Sequence, residues 1–235
     1  MIDIHSHVLP GVDDGSRNFD ESIETIKWLF DQGVTDLIAT PHYVCESDYT
    51  SPRSKNLELL RELQARLKAA GIDVKLYLGN EIYINERIPE LLEAGELSPL
   101  ADSEYLLVEL PLNSEFPNYE GYLCELREKG FKVVLAHPER YSIVQDDFQK
   151  VRDLYEDGIL LQSNLRSIIG TYGNGAERVI KKLAREKMIF AFGSDTHRTG
   201  RSDYLIQARK KLLKYYNPRE LALILDVNLR KKILR

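Results

Sequence analysis

Seven short apolar runs punctuate this 235-residue chain, at roughly 2–6, 35–40, 73–79, 104–110, 131–137, 159–163 and 188–194. Each is rich in Val, Ile, Leu or Phe, as a strand buried on both faces must be. The stretches between them carry helical periodicity. In 18–32, Phe19, Ile23, Ile26 and Phe30 are expected on one buried face, and Gly33 ends the helix. In 54–70, Leu57, Leu60, Leu63 and Leu67 repeat the pattern before Gly71. Further helices are expected near 87–95, 118–129, 147–157, 175–187, 202–215 and 218–233, the last two split by Asn217-Pro218. Strands alternating with helices predict a parallel α/β architecture.

The ends of the runs choose between an open sheet and a barrel. The first leads into His5 and His7, the second into His42, the third into Glu81, the fourth into Glu109, the fifth into His137 and the seventh into Asp195 and His197. The sixth ends in Gln162-Ser163-Asn164, polar but weaker as ligands. An open sheet concentrates functional residues at one switch point, whereas a barrel gathers them from the C-terminal ends of many strands. Six chemically equipped ends out of seven favour a barrel, one strand short of the usual eight.

Residues two apart on a strand share a face, so His-x-His presents two imidazoles side by side. Alone, such a pair is as readily two core histidines bonded to backbone. The Asp195-x-His197 pair repeats the geometry, and Glu81 and Glu109 would each be costly at a buried strand end without a cation. Asp13-Asp14-Gly15 is an ordinary turn signal. Beside this set Asp14 becomes a further ligand, and Asp13 is read as a turn residue or a support behind the ligands. The set exceeds one ion and suffices for two or three. Imidazole and carboxylate without thiolate suit Mn, Zn or Fe better than Ca or Mg. Multinuclear sites of this kind hold an activated water and clamp a phosphoryl group in transit. Arg140, in HPERY, and Arg201, in THRTGR, offer forked donors for phosphoryl oxygens, with Arg198 as a competitor in the same loop.

Other functions are excluded more simply. The formal net charge is −5 and no long basic run occurs, which argues against nucleic acid as partner. Lys231 and Lys232 read as a solvated helix face. No stretch approaches a membrane span and no secretory signal is visible, so a cytoplasmic location is expected. Cys45 and Cys124 are followed six residues later by Ser51 and Gly130, so neither fits a cysteine-phosphatase loop. Cys124 is expected to pack within its helix. Glycine-rich nucleotide fingerprints are absent.

MIDIHSHVLPGVDDGS, ATPH, GNE, LLVEL, AHPERY and SDTH, in this order, resemble the PHP (polymerase and histidinol phosphatase) metallophosphoesterase family. The likeness is specifically to its bacterial tyrosine-protein phosphatase branch of CpsB/YwqE type, associated with capsule and exopolysaccharide loci, and it spans nearly the whole chain. It implies one domain over 1–235, a distorted (β/α)7 barrel and three divalent ions, commonly manganese. By motif, one ion falls to His5, His7, Glu81 and Asp195; a second to Glu81, Glu109 and His137; a third to Asp14, His42 and His197. Many family members carry histidine at the Asp14 position, but this branch resembles the present sequence. Arg140 matches the family pattern well. Arg201 sits in THRTGRSDY, which departs from the usual SDAHN run, and the loop YVCESDYTSPRS has no confident counterpart. The resemblance implies a metal-bound hydroxide attacking phosphotyrosine, on a partner that is a bacterial tyrosine kinase of polysaccharide synthesis, without a phospho-enzyme. A phosphatase of a small monoester such as histidinol phosphate would share every ligand. An inert binding module would lack some. The oligomeric state stays open.

Overall fold

The computed structural model describes residues 1–114, 116–199 and 203–234. In chain order its strands are β1 (Ile2–Asp3), β2 (Asp36–Ala39), β3 (His42–Tyr43), β4 (Lys75–Leu78), β5 (Glu81–Tyr83), β6 (Tyr105–Glu109), β7 (Lys132–Ala136), β8 (Leu160–Asn164) and β9 (Ile189–Gly193). Every pairing is parallel; β1-β2-β4 form one sheet and β3-β5-β6-β7-β8-β9 the other. All seven apolar runs contain a strand. Two of them continue past a break into β3 and β5, which periodicity did not reveal. Pro41, with no N–H to give a ladder, lies between β2 and β3, and Gly79-Asn80 lies between β4 and β5. Gly79 N donates to Ala39 O (2.9 Å) and Glu81 N to Pro41 O (3.2 Å), so the two broken strands stay side by side. The first run also meets the last. Ser6 and Thr196 form a parallel bridge, with His7 N donating to Thr196 O and Asp195 N to His5 O, each at 2.9 Å. The architecture is α/β with parallel strands in two sheets.

The helices are α1 (Phe19–Asp31), α2 (Arg53–Ala69), α3 (Ile88–Glu93), α4 (Tyr119–Glu128), α5 (Ser142–Asp146), α6 (Phe148–Glu156), α7 (Gly173–Arg185), α8 (Tyr204–Leu212), α9 (Pro218–Ala222) and α10 (Asn228–Lys232). A π-helical turn (Leu223–Val227) joins α9 to α10. Each expected helix is present, and α5 is additional. Asn18 caps α1 by accepting from Glu21 N, and Asn217 with Glu220 forms a reciprocal capping box ahead of α9. Two expectations about faces fail. The buried stripe of α1 is Ser22, Thr25, Ile26 and Leu29, leaving Phe30 36% exposed. Those four fall at i, i+3, i+4 and i+7, so small polar residues take core positions that apolar counting gave to Phe30. Cys124 is exposed rather than packed, because α4 buries Tyr119, Leu123 and Leu126 instead.

The larger core lies between helices and strands. A smaller one is built by the strands themselves, from Ile2, Ile4, Ile38, Tyr105, Leu107, Val134, Ala136 and Ala191, and Leu229 and Ile233 of the C-terminal segment seal it. Alternation along β6 shows how this core positions the chemistry. Tyr105 and Leu107 face the inner core, and the next residue of that face is Glu109.

Candidate metal centre

The strand ends deliver their polar residues to one place. His5 and His7 are fully buried. Their Nε2 atoms lie 3.2 Å apart and both approach Glu81 Oε2, at 3.1 and 3.2 Å. The opposite ring nitrogens decide what those Nε2 atoms are. Asp195 accepts only, so Asn164 Nδ2 donates to its Oδ2 (2.6 Å). Asn164 Oδ1 then accepts from Gln162 Nε2 (2.9 Å), which leaves Gln162 Oε1 to accept from His5 Nδ1 (2.9 Å). His7 Nδ1 donates to Asp13 Oδ2 (2.8 Å). Both Nε2 atoms therefore present bare lone pairs to each other and to a carboxylate. Only a proton or a metal ion relieves that arrangement.

Glu81 stands at the middle. Its Oε1 accepts from His137 Nε2 at 2.9 Å, and its Oε2 lies 3.1 Å from His42 Nδ1. Glu81 Oε2, His42 Nδ1 and His137 Nδ1 are buried atoms without a hydrogen-bond partner among the described residues. Glu109 lies 3.6 Å from His137 Nε2 and 3.8 Å from His42 Nδ1. Asp195 Oδ1 is 3.6, 3.5 and 3.5 Å from ring nitrogens of His5, His7 and His197. Asp14, half of whose side chain is exposed, lies 3.2 Å from His197 Nε2 and 3.6 Å from His42 Nε2. Among the described residues, four groups have their ligand atoms close enough to share an ion: His7, Asp14, His42 and His197; His5, His7 and Glu81; His5, His137 and Asp195; and His42, Glu81 and Glu109. The donors are imidazole and carboxylate without sulfur, and the orphaned Glu81 Oε2 and His42 Nδ1 face each other. These residues fit borderline divalent ions.

The electrostatics describe a site that holds protons when it holds no metal. Burial alone would depress His5, but the charges of Glu81 and Asp195 outweigh it and lift its pKa to about 9. Burial, then the nearby Glu81 charge, pushes Glu109 up to about 9. Asp14 falls to about 2, first through its hydrogen bond to His197. Burial works against ionisation of Glu81, yet the surrounding histidines hold it well below the usual carboxylate range.

Backbone detail sets this geometry. His137 and Asp195 follow β7 and β9 in the left-handed region, at φ 31° and 50°, a strain of about 1–3 kcal/mol each. Two glycines allow close approach. A Cβ on Gly15 would stand 2.0 Å from His7 O, and one on Gly193 would stand 2.6 Å from His5 Cβ. Asp13 serves as a support, since it also accepts from His42 N (3.1 Å) and Gly15 N (3.0 Å).

Beside the cluster opens a cleft of about 510 Å³ lined by Asp14, Arg140, Arg166, Tyr172, Asp195, His197, Arg198 and Thr199. Arg140 Nη1 donates to Asp195 Oδ2 (2.9 Å), and its guanidinium lies 4.5 Å from the Tyr172 ring centre. Arg198 is exposed on the cleft, while Arg201 lies outside the described residues. From the loop that had no counterpart in the motif comparison, Tyr49 stacks on His42 with centroids 5.9 Å apart. Gln162, Asn164 and Arg166 carry more of the site than the sequence disclosed. The signal was present, since Gln162 and Asn164 stand two apart at the end of the sixth run, but they bond to His5 and Asp195 from behind the candidate ligands.

The family model described as "Capsular polysaccharide synthesis, CpsB/CapC" matches residues 1–235. The chain is 32% identical over 198 residues to the tyrosine-protein phosphatase YwqE of Bacillus subtilis (strain 168), covering 84% of this chain and 77% of YwqE. It is 29% identical over 240 residues to the tyrosine-protein phosphatase CpsB of Streptococcus pneumoniae, covering 100% of this chain and 98% of CpsB. A structure solved in work on Bacillus subtilis YwqE and Streptococcus pneumoniae CpsB, described there as unique metal-dependent tyrosine phosphatases, superimposes with a TM-score of 0.89. That match is at 28% identity over 95% of this chain and 91% of the other. Matched along its whole length and in its fold, the chain belongs to the CpsB/CapC family.

Proposed function

We propose that this chain is a metal-dependent protein-tyrosine phosphatase, acting in the cytoplasm on phosphotyrosine of a bacterial tyrosine kinase of polysaccharide synthesis. The observation that carries the reading is the convergence of five histidines with Asp14, Glu81, Glu109 and Asp195, the Oε2 of Glu81 buried without a hydrogen bond among the described residues, beside an arginine-lined cleft. The names of the relatives supply the substrate class. Three divalent ions, manganese first and iron or zinc as alternatives, would be held by His5, His7, Glu81 and Asp195; by Glu81, Glu109 and His137; and by Asp14, His42 and His197. When bound, such ions supply Lewis acidity and a water activated near neutral pH. The protein's own groups do the rest. Glu81 and Asp195 offset the positive charge, and Asp13 and the Gln162-Asn164 pair keep the imidazole lone pairs aimed inward. Arg140 contributes guanidinium N–H groups to the cleft where phosphoryl oxygens would bind, and Arg201 is the second arginine proposed for that task. The Ser6–Thr196 bridge supports reading the strands as a distorted seven-stranded β/α barrel in a single domain.

The test is direct. Metal-stripped protein should be inactive on a phosphotyrosine peptide, regain activity with Mn²⁺, and lose it again in chelator. Its kcat/KM for that peptide should exceed that for histidinol phosphate. Full activity after stripping would overturn the metal mechanism. A strong preference for histidinol phosphate would overturn the substrate.

A further inference from the structure

We propose that Arg166 determines specificity by receiving an acidic side chain that flanks the phosphotyrosine of a peptide substrate, an inference that rests on the phosphotyrosine reading above. Among the described residues, three arginines line the cleft beside the metal centre, Arg140, Arg166 and Arg198. The carboxylates described there, Asp14 and Asp195, are both claimed by the proposed ions. Arg140 is already engaged with Asp195 at 2.9 Å. Arg166 is not. Its guanidinium lies 4.3 Å from the Tyr204 ring centre, is half-buried, and has no hydrogen-bond or ion-pair partner among the described residues.

That arrangement is suited to receiving an anion. Stacking on an aromatic face fixes the plane of a guanidinium while leaving its N–H edge free, and the edge matches a carboxylate in a two-pronged fork. Tyr204 is itself held, its hydroxyl 2.6 Å from Thr196 Oγ1. Arg166 follows β8, whose last residues Gln162 and Asn164 hold His5, so its backbone is anchored to the same framework as the metal ligands. A cation ordered in advance loses little entropy on binding. The charge count points the same way. A phosphate monoester is answered by the proposed ions with Arg140 and Arg201, so Arg166, with exposed Arg198 at the rim, is surplus to one phosphate. In a chain of net charge −5, such a local excess of cations selects among partners by sign.

The experiment compares two phosphotyrosine peptides that differ only in whether Asp and Glu, or Ala, flank the phosphotyrosine. The Mn²⁺-loaded protein is assayed for kcat/KM, and Kd is measured for non-hydrolysable phosphonate versions of both peptides. The wild-type protein should prefer the acidic peptide by about tenfold, the scale of one charge-assisted hydrogen bond. Arg166→Gln should bring both ratios close to one, and Arg166→Lys should retain part of the preference. A general folding or phosphate-binding defect lowers both peptides alike and leaves the ratio in place. An unchanged ratio in Arg166→Gln, or a wild-type protein indifferent to the flanking residues, would overturn the inference while leaving the phosphotyrosine reading intact. Failure of the wild-type protein to cleave either peptide would overturn both.

Discussion

Four of the five histidines turn a ring nitrogen toward Glu81, at 2.9 to 3.2 Å, so a single carboxylate offsets most of the positive charge the cluster can gather. Glu81→Gln keeps the shape but removes the charge and points an amide at those nitrogens. Metal content measured by elemental analysis should fall, and phosphatase activity should drop at least about hundredfold, the upper end of what supporting groups around a metal contribute. Full metal occupancy in that variant would place Glu81 outside the ligand set. Asn164 offers a subtler test, because it touches no proposed ion. It passes the orientation of Asp195 through Gln162 to His5. Asn164→Ala frees the Gln162 amide to flip, and with it the His5 tautomer. Metal affinity should weaken by about 10–100-fold in calorimetric titration while every proposed ligand remains. An affinity equal to wild type would mean that the relay does not matter. These roles also show what sequence reading reached. His5, His7, His42, Glu81, Glu109, His137, Asp195 and His197 were visible because strand ends are one-dimensional features. Gln162, Asn164 and Arg166 act through contacts between distant segments, which spacing along the chain does not encode.

At the scale of the element, the strands were legible because parallel strands buried on both faces need continuous apolar runs. The breaks that produce β3 and β5 were not, because Thr40-Pro41 and Gly79-Asn80 end the apolar runs and the strands beyond them are only two and three residues long. The inner face of α1 was misjudged for a related reason. Ser22 and Thr25 reach the core because helix geometry puts them there, not because they are apolar. The C-terminal segment gives the clearest prediction about an element. Leu229 is fully buried and belongs, with Ile233, to the inner core that also holds Ile2 of β1 and Tyr105 of β6. The proposed metal ligands lie at the opposite strand ends, so Leu229→Ala should separate stability from chemistry. Denaturant unfolding should show a loss of about 2–5 kcal/mol. The variant should keep its metal content under native conditions, and a stability within error of wild type would show that the helix does not close the core.

For the whole molecule, metal and proton compete for the same site, and the competition has a definite sign. In the metal-free protein His5 titrates near 9, against 6.5 for the free side chain, and Glu109 titrates near 9, against 4.5. Both values are raised, so between the ordinary and the folded value the native chain holds protons that the unfolded chain has released. Stability therefore falls as pH rises, from about 4.5 upward for Glu109 and from about 6.5 upward for His5, until both are spent near 9. Glu81, Asp195 and Asp14 are shifted down, and their contribution is already complete above the ordinary carboxylate range. His42, also shifted down, adds stability only as pH climbs to its free value of 6.5. From pH 7 to 9 the raised groups are left to dominate, and the metal-free melting temperature should decline. Metal binding displaces those protons, so affinity for Mn²⁺ should climb over the same interval, and the gap between loaded and stripped melting temperatures should widen. Calorimetry at pH 7, 8 and 9, with and without Mn²⁺, reads both effects. A metal-free melting temperature that rises across this range, or a gap that narrows, would show that His5 and Glu109 do not hold the protons that the metal must replace.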